Sequence, residues 1–555
     1  MLIDEKGMWK PSSNIILEEN ASMVVKSQEN FLVIAGPGSG KTELLAQRAN
    51  FLLQMGYCAD PFNILAISFK RDAASNLLDR VRARLEDDSG RRFVSLTYDA
   101  FAKKLLDQFR NSLPEKFRPQ KHYEIGDGPN QLSFGVICQL ATRLVTKNSK
   151  IRDAIQAAFP FAFLDEFQDT TDLQYNLVKS CFLGSRTCIT AVGDDKQRIM
   201  GWAGAKKGIF QDFQRDFSSA KTILRMNHRS APRLVDLQEK MYDSLNTDKI
   251  SVLTSNRWDK DDGEIILFDC ENENDEAIKV GTDILVKINS GIPPKDIAIL
   301  VKQQPERYVM HIIDWLAQRN VKARIENPYQ DLLKEPIVNL IISTIHASLN
   351  LISAPEWQHY FSQFLYIRGI DIDLGGQAIS EARLELDDFL FHLRPALLSA
   401  KDNSALTKLV QGIVNFFGKK PIMSMFSQYQ QSGFMEGQLD VFTTLLSKNL
   451  SQSRNLTEAV DRFLGVHSIP IMTIHKSKGL EYQAVYFIGL EDEAFWSFSR
   501  QPQEIRSVFF VAISRAKQYL AFSFCKVRRT PQHHYVINEF YELLQQPGVA
   551  KVIGH

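Results

Sequence analysis

Phe31-Leu32-Val33-Ile34-Ala35-Gly36-Pro37-Gly38-Ser39-Gly40-Lys41-Thr42 sets the reading of the whole chain. Four apolar residues suit a short buried strand. The glycines that follow let successive backbone N–H groups turn inward on phosphate oxygens, and a helix opening at Lys41 adds positive potential at its N-terminus. Lys41 is placed to reach β- and γ-phosphates, and the Thr42 hydroxyl to bind Mg²⁺. Residues Ala35, Gly36, Pro37, Gly38, Ser39 and Gly40 are the expected cradle, with Ala35 where the general phosphate-loop pattern has Gly. The bland alternative is a Gly-rich strand–helix turn. Phe161-Ala162-Phe163-Leu164-Asp165-Glu166 is the natural companion. There an apolar strand ends in two acids, Asp165 to hold Mg²⁺ and Glu166 to activate a water. Alone, such a pair is often a surface turn.

Further apolar runs at 64–69, 93–96 and 188–192 alternate with helical periodicity, as in Leu45, Ala49, Leu52 and Leu53. That alternation predicts an α/β domain with a parallel sheet. Residues 102–158 lack strand signals and read as a helical insertion. Strand signals return at 263–269, 296–301, 469–474, 484–490 and 519–524, around a helical stretch at 352–464. The acidic stretches 259–264 and 271–276 read as solvated loops. The apolar segment 336–355 contains polar interruptions and reads as a buried helix rather than a membrane span.

With 555 residues, two to four domains are expected. Hydrophobic residues at 44% and charged residues at 24% exclude global disorder. The formal charge of +1 supplies no overall basic field, so any nucleic-acid site rests on a local patch. Six cysteines without a Cys-x-x-Cys pair disfavour zinc, iron–sulfur and disulfide scaffolds. Residues 1–10 show no apolar signal segment, so a cytoplasmic location with no membrane contact is expected.

Five further motifs occur in order. They are Asp165-Glu166-Phe167-Gln168-Asp169-Thr170, Val192-Gly193-Asp194-Asp195-Lys196-Gln197 running on to Gly201-Trp202-Ala203, Asn227-His228-Arg229-Ser230, Met472-Thr473-Ile474-His475-Lys476-Ser477-Lys478-Gly479-Leu480-Glu481, and Val511-Ala512-Ile513-Ser514-Arg515-Ala516. With the phosphate loop, this set resembles the UvrD/Rep/PcrA family of superfamily 1A DNA helicases over nearly the whole chain. The resemblance implies two RecA-like P-loop domains, each an α/β fold with a parallel sheet and a mostly helical insertion, and ATP with Mg²⁺ as cofactors. It divides the chain into 1–101 with 159–218 (domain 1A), 102–158 (1B), 219–351 with 466–555 (2A) and 352–465 (2B). It makes Lys41, Glu166, Gln197, Arg229 and Arg515 catalytic, Gln197 sensing the γ-phosphate and the arginines stabilising transition-state charge. Glu481 is implied at the ribose, His228 and Glu43 beside the base, and Asp165 with Thr42 at the metal. Phe69, Tyr98, Trp202, Thr473 and His475 are implied to contact single-stranded DNA, the aromatics by stacking on bases.

Several positions depart from that pattern. Asn20 stands where the family reads adenine with Gln, and Glu43 where relatives often carry Arg. Met200, Ala203, Asp99 and Ala100 replace a Tyr, an Arg, a His and a Ser of the DNA track. Fewer phosphate contacts predict weaker single-strand binding. Asp371, in Arg368-Gly369-Ile370-Asp371, replaces a duplex-gripping Gly. The expected function is an ATP-dependent 3′-to-5′ translocase or helicase on single-stranded DNA or a single/double-strand junction, in DNA repair or antiphage defence. Short chains of this type also resemble the helicase-like subunit of Gabija-type systems, which implies an OLD-family nuclease as partner. The alternative is a nucleotide-gated regulatory subunit of a nuclease complex with little unwinding.

Overall fold

The computed structural model describes residues 9–85, 88–121, 123–126, 128, 131–245, 251–370, 376–430 and 433–554. Asp371 and most of the N-terminal segment considered above lie outside them. The chain divides into two compact units. The first comprises Met1–Lys121, Gly126–Asn320 and Ile471–His555, the second His122–Ile125 and Val321–Pro470.

The first unit contains two parallel sheets. The strands of the first are β1 (Phe31–Ala35), β2 (Ile64–Ser68), β3 (Phe93–Thr97), β4 (Phe161–Asp165), β5 (Cys188–Gly193) and β6 (Ala220–Leu224), in the order β3-β2-β4-β5-β1-β6. Most are almost wholly buried, as near-continuous apolar runs in a parallel sheet must be. Helices Lys41–Gln54 and Arg71–Arg82 contribute Leu45, Leu52, Leu77 and Val81 to the core on one face. The segment between β3 and β4 is helical, with Tyr98–Phe109, Phe134–Lys147 and Ser149–Ala158. Thr97, Ser133 and Asn148 cap these helices by accepting from Ala100, Val136 and Ile151 N–H groups.

Six strands of the second sheet run β9-β8-β10-β11-β7-β12 and are parallel, with β7 (Glu264–Asn272), β8 (Ile297–Val301), β9 (Ser468–Thr473), β10 (Tyr482–Ile488), β11 (Ala516–Arg528) and β12 (Lys551–Ile553), and the short Thr530–Pro531 pairs antiparallel with β11.

Two sequence expectations are corrected here. Strand β6 lies beyond the expected end of the first domain at 218, yet it pairs in register with β1, Phe31 opposite Ala220 and Ala35 opposite Leu224. The acidic stretch 271–276 is not a solvated loop. It ends β7 and opens the helix Glu273–Asn289. Glu276 is buried, 2.6 Å from Arg528, which also meets buried Glu491 at 3.0 Å. Two carboxylates flank one guanidinium, and burial raises Glu491 to about 7, which relieves the excess negative charge; removing one partner of such a buried set costs about 3–5 kcal/mol.

The second unit is helical apart from short strand segments. Helices Pro336–Ser348, Ala354–Ile367, Gly376–Ser399, Asn403–Phe417, Phe434–Leu450 and Leu456–Leu464 share a core that includes Ile341, Phe364, Leu386, Phe417, Phe442 and Phe463. Among the described residues no helix is long and apolar enough to cross a membrane.

Candidate nucleotide and nucleic-acid site

In a parallel α/β sheet, ligands bind beyond the carboxyl ends of the strands, where helix N-termini and loops converge. The sequence-expected residues of the first sheet lie there. The phosphate loop follows β1, Phe69 follows β2, Tyr98 follows β3, Asp165 ends β4, and Asp194 and Gln197 follow β5.

Gly38 and Gly40 have φ of +70° and +81°, a region costly for any side chain. At Gly38 a second constraint applies. A Cβ there would collide with Asn227 Oδ1 and stand 2.6 Å from Arg229 Cβ. The loop is fastened to that segment by the His228 N–H, which donates to Gly38 O at 2.8 Å. The exposed His228 ring borders Gly40. Lys41 Nζ donates to Ala35 O at 3.1 Å. Burial pushes its pKa down, opposed by the carboxylates of Glu166, Asp194 and Asp165. Those three acids therefore share one electrostatic neighbourhood with the lysine.

Asp165 is buried and the adjacent Glu166 is half-buried. Burial, and then the Glu166 charge, raise Asp165 to about 7. Burial also pushes Glu166 up, but Lys478 and Lys41 outweigh it and hold that carboxylate ionised. Glu166 adopts φ 48°, ψ 42°, left-handed backbone that a non-glycine residue holds at a cost of order 1–3 kcal/mol. Gln168 Nε2 donates to Glu166 Oε2 at 2.5 Å, orienting the carboxylate. The Thr42 hydroxyl and the Asp165 carboxylate are the hard oxygen donors that Mg²⁺ prefers, and the raised Asp165 marks a place where a cation relieves repulsion.

The second sheet delivers cations to this edge. Arg515, buried before β11, donates from Nη2 to Gln197 Oε1 at 3.1 Å, from Nη1 to Leu480 O and from Nε to Val511 O. Burial, and then Arg229, lower its pKa to about 9, which leaves it charged at neutral pH. Gln197 Nε2 in turn donates to Asp194 Oδ2 at 2.8 Å, and Asp194 pairs with buried Lys196 at 2.9 Å. Arg229 Nε meets Glu481 at 2.7 Å, and its Nη1 donates to Ser514 O. Glu481 also pairs with Lys517 at 2.9 Å. Burial pushes Glu481 up, but Arg229 and Lys517 bring it down to about 2.

The sequence reading assigned no role to Lys478 or Asp169, though both lie inside motifs it quoted. Lys478 Nζ donates to Asp169 Oδ2 at 2.6 Å and to Gln197 O at 2.9 Å, and stands 3.8 Å from Glu166. It joins the second sheet to both β4 and β5 loops. Lys70, after β2, also links the two sheets, donating to His475 O at 3.5 Å.

The expected DNA contacts divide. Trp202 is 69% exposed in the turn Gly201–Ala203. Phe69, Thr473 and His475 are half-buried. His475 is pushed down to about 4 by burial and then by Lys302, Lys70 and Lys478. It is therefore neutral at pH 7 and can contact a phosphate only by hydrogen bonding. Tyr98 does not fit the expectation. Its ring is 1% exposed and its hydroxyl is bonded to Thr170 Oγ1 at 3.0 Å, so it offers no face to a base.

The expected nucleotide contact Glu43, and Asn20 at the position of the family's adenine-reading Gln, are also engaged elsewhere. Glu43 accepts from Arg84 Nε and Nη2, both at 3.1 Å, from Arg80 at 3.2 Å and from Gln47 at 2.7 Å. Asn20 Nδ2 donates to Ile223 O at 2.8 Å, tying the helix Glu19–Lys26 to β6.

Comparison with known proteins agrees with this geometry. The UvrD/REP helicase N-terminal domain matches residues 17–127 and 120–218, and the UvrD-like helicase C-terminal domain matches 435–527. The chain is 24% identical to the putative ATP-dependent DNA helicase YjcD of Bacillus subtilis, over 94% of this chain and 80% of that protein. It is 24% identical to DNA helicase II of Escherichia coli, over 92% and 84%. It is 24% identical to the ATP-dependent DNA helicase Rep of the same organism, over 90% and 89%. Two matching domain models, in order and on the sheets that carry the phosphate loop and Arg515, show that the chain belongs to the UvrD/Rep family of helicases.

Proposed function

We propose that this protein hydrolyses ATP to move along single-stranded DNA in the 3′-to-5′ direction, opening duplex at a single/double-strand junction. The observation that carries the reading is the convergence of Lys41, Glu166, Gln197 and Arg515, from both sheets, on one edge. In this reading residues 35–42 cradle the triphosphate, with Thr42 and Asp165 holding Mg²⁺, which when bound neutralises charge on the β- and γ-phosphates. Glu166, kept ionised by Lys478 and Lys41, takes the proton from the attacking water. Arg515 and Arg229 stabilise the charge that develops on the transferring group, an effect worth about 10³–10⁵ in rate. His228 flanks the base and Glu481 the ribose.

The coupling to motion follows from where the cations originate. Arg515 and Lys478 belong to the second sheet's segments, while their partners Gln197 and Asp169 belong to the first; Arg229, on the link after β6, is held by Glu481 and Ser514 of the second. A change in γ-phosphate occupancy alters the contacts between the two. The DNA contacts Phe69 and Trp202 ride on the first sheet, Thr473 and His475 on the second, so alternating grip follows. The four-part division into 1A, 1B, 2A and 2B is part of the same proposal, with the 1A boundary extended to include β6.

The test is ATP turnover with and without single-stranded DNA, using Glu166→Gln as the blank. Strong stimulation that disappears in the variant supports a motor. Nucleotide binding without DNA-stimulated turnover sinks it and favours a nucleotide-gated regulatory subunit.

A further inference from the structure

Asp194 is fully buried, and a buried carboxylate needs a counter-charge. Lys196 supplies it. Its ammonium stands 2.9 Å from Asp194 Oδ1, and its backbone N–H donates to the same oxygen at 3.2 Å. Gln197 Nε2 takes the other oxygen at 2.8 Å. Burial pushes Asp194 up, but Lys196 and then Lys41 outweigh it and hold the carboxylate ionised. An ionised carboxylate only accepts hydrogen bonds. Gln197 must therefore turn its amide nitrogen to Asp194, which leaves its Oε1 to accept from Arg515 Nη2 at 3.1 Å.

The lysine is itself held in place. Its side chain is 4% exposed, and its ammonium lies 5.0 Å from the centre of the Tyr242 ring, a cation–π distance. Tyr242 packs in turn on Phe510, with ring centroids 6.2 Å apart. The ammonium is thus fixed between a carboxylate on one side and an anchored ring on another.

We propose that Lys196 is a positioning residue for ATP hydrolysis, which acts through Asp194 to aim the Gln197 amide at Arg515. The proposal rests on the reading of this site as an ATPase. With a neutral side chain at 196, Asp194 loses its nearest counter-charge and gains from taking up a proton. A protonated carboxyl can donate as well as accept. The Gln197 amide is then free to turn, and a turned amide sets its N–H groups against those of Arg515. Lys196 also borders the phosphate loop, lining a small cavity with Gly36, Pro37 and Ser39. The test must therefore separate positioning from phosphate binding.

Steady-state ATP turnover of the full chain with saturating single-stranded DNA, beside nucleotide titration calorimetry, makes that separation. Lys196→Met should lower kcat at least ~10-fold while ATP affinity stays within about 3-fold of wild type. In a Gln197→Ala background the same substitution should cost less than about 2-fold more, because its effect passes through Gln197. A lysine that only stabilised the fold would cost the same in both backgrounds. Should Lys196→Met fail to fold, Lys196→Gln, which can donate to Asp194 without the charge, takes its place with the same expectations. Equal losses in the two backgrounds overturn the proposal. Weaker ATP affinity at unchanged kcat overturns it equally, and would make Lys196 a phosphate ligand. A wild type with no DNA-stimulated turnover overturns the ATPase reading and this one with it. An active wild type matched by Lys196→Met overturns this one alone.

Discussion

Arg515 and Gln197 stand 318 residues apart in sequence and are joined by a 3.1 Å hydrogen bond between buried groups. Gln197 is held in turn by Asp194, and Arg515 by three further acceptors. The guanidinium is thus fixed in direction before any nucleotide contact. Arg515→Lys keeps a charge but cannot reproduce that fan of donors. It should lower DNA-stimulated kcat about 10³-fold with a small change in KM. A rise in KM at constant kcat, in steady-state kinetics, would assign Arg515 to ground-state binding instead.

Glu166 combines a proposed chemical role with a strained backbone. Glu166→Gln should retain ATP and DNA binding while turnover falls about 10²–10⁴-fold. Glu166→Gly should also be inactive, yet it relieves the left-handed conformation and should raise stability by up to about 1 kcal/mol. Thermal unfolding beside ATPase assays would expose this opposition. A glycine variant less stable than the wild type would show that side-chain contacts outweigh the strain.

Gly38→Ala places a methyl group against Asn227 and Arg229 at positive φ. The expected result is an ATP affinity at least ~10-fold weaker, because the loop must part from 227–229, at a stability cost of about 1–3 kcal/mol. Nucleotide titration calorimetry checks it. Gly36, where a Cβ meets nothing within 4 Å, is the matched control for steric space.

His475 has a folded-state pKa of about 4, below its ordinary 6.5. The unfolded chain therefore binds the extra proton between those values, and stability rises with pH across that window. It should be fully present above about pH 6.5, fall by of order 1–3 kcal/mol as pH drops towards 4, and then level off with respect to this group. His475→Gln should flatten that part of the profile in denaturant titrations. Single-strand affinity should not vary with His475 charge between pH 6.5 and 8.

Trp202 and Tyr98 should separate cleanly. Trp202→Ala should weaken single-strand binding by about 1–3 kcal/mol with little loss of stability. Tyr98→Phe should leave DNA affinity unchanged and cost about 1 kcal/mol of stability, by removing the bond to Thr170. Fluorescence anisotropy with a labelled oligonucleotide, and melting of both variants, would distinguish the roles. Lost affinity in Tyr98→Phe would mean that the hydroxyl leaves Thr170 to contact DNA.

Features that depend on local chemistry are legible along the chain. The phosphate loop was legible because strand, glycines, Lys41 and helix are contiguous, and most strands because parallel sheets make each one a short apolar run. The helical insertions followed from periodicity in the same way. Tertiary structure decided what depends on partners far along the chain. Strand β6 could not be assigned from Ala220–Leu224 alone, because the strand it completes, β1, lies some 190 residues earlier. Glu276 looked solvated because its neutralising partner, Arg528, comes 252 residues later. Tyr98 sat in a recognisable motif, and only its bond to Thr170 showed that the ring is core. Glu43 followed the phosphate loop as a base contact would, but Arg80 and Arg84 claim its carboxylate. In each case the residue's type was compatible with two environments, and the burial and charge compensation that select one of them are properties of the folded chain.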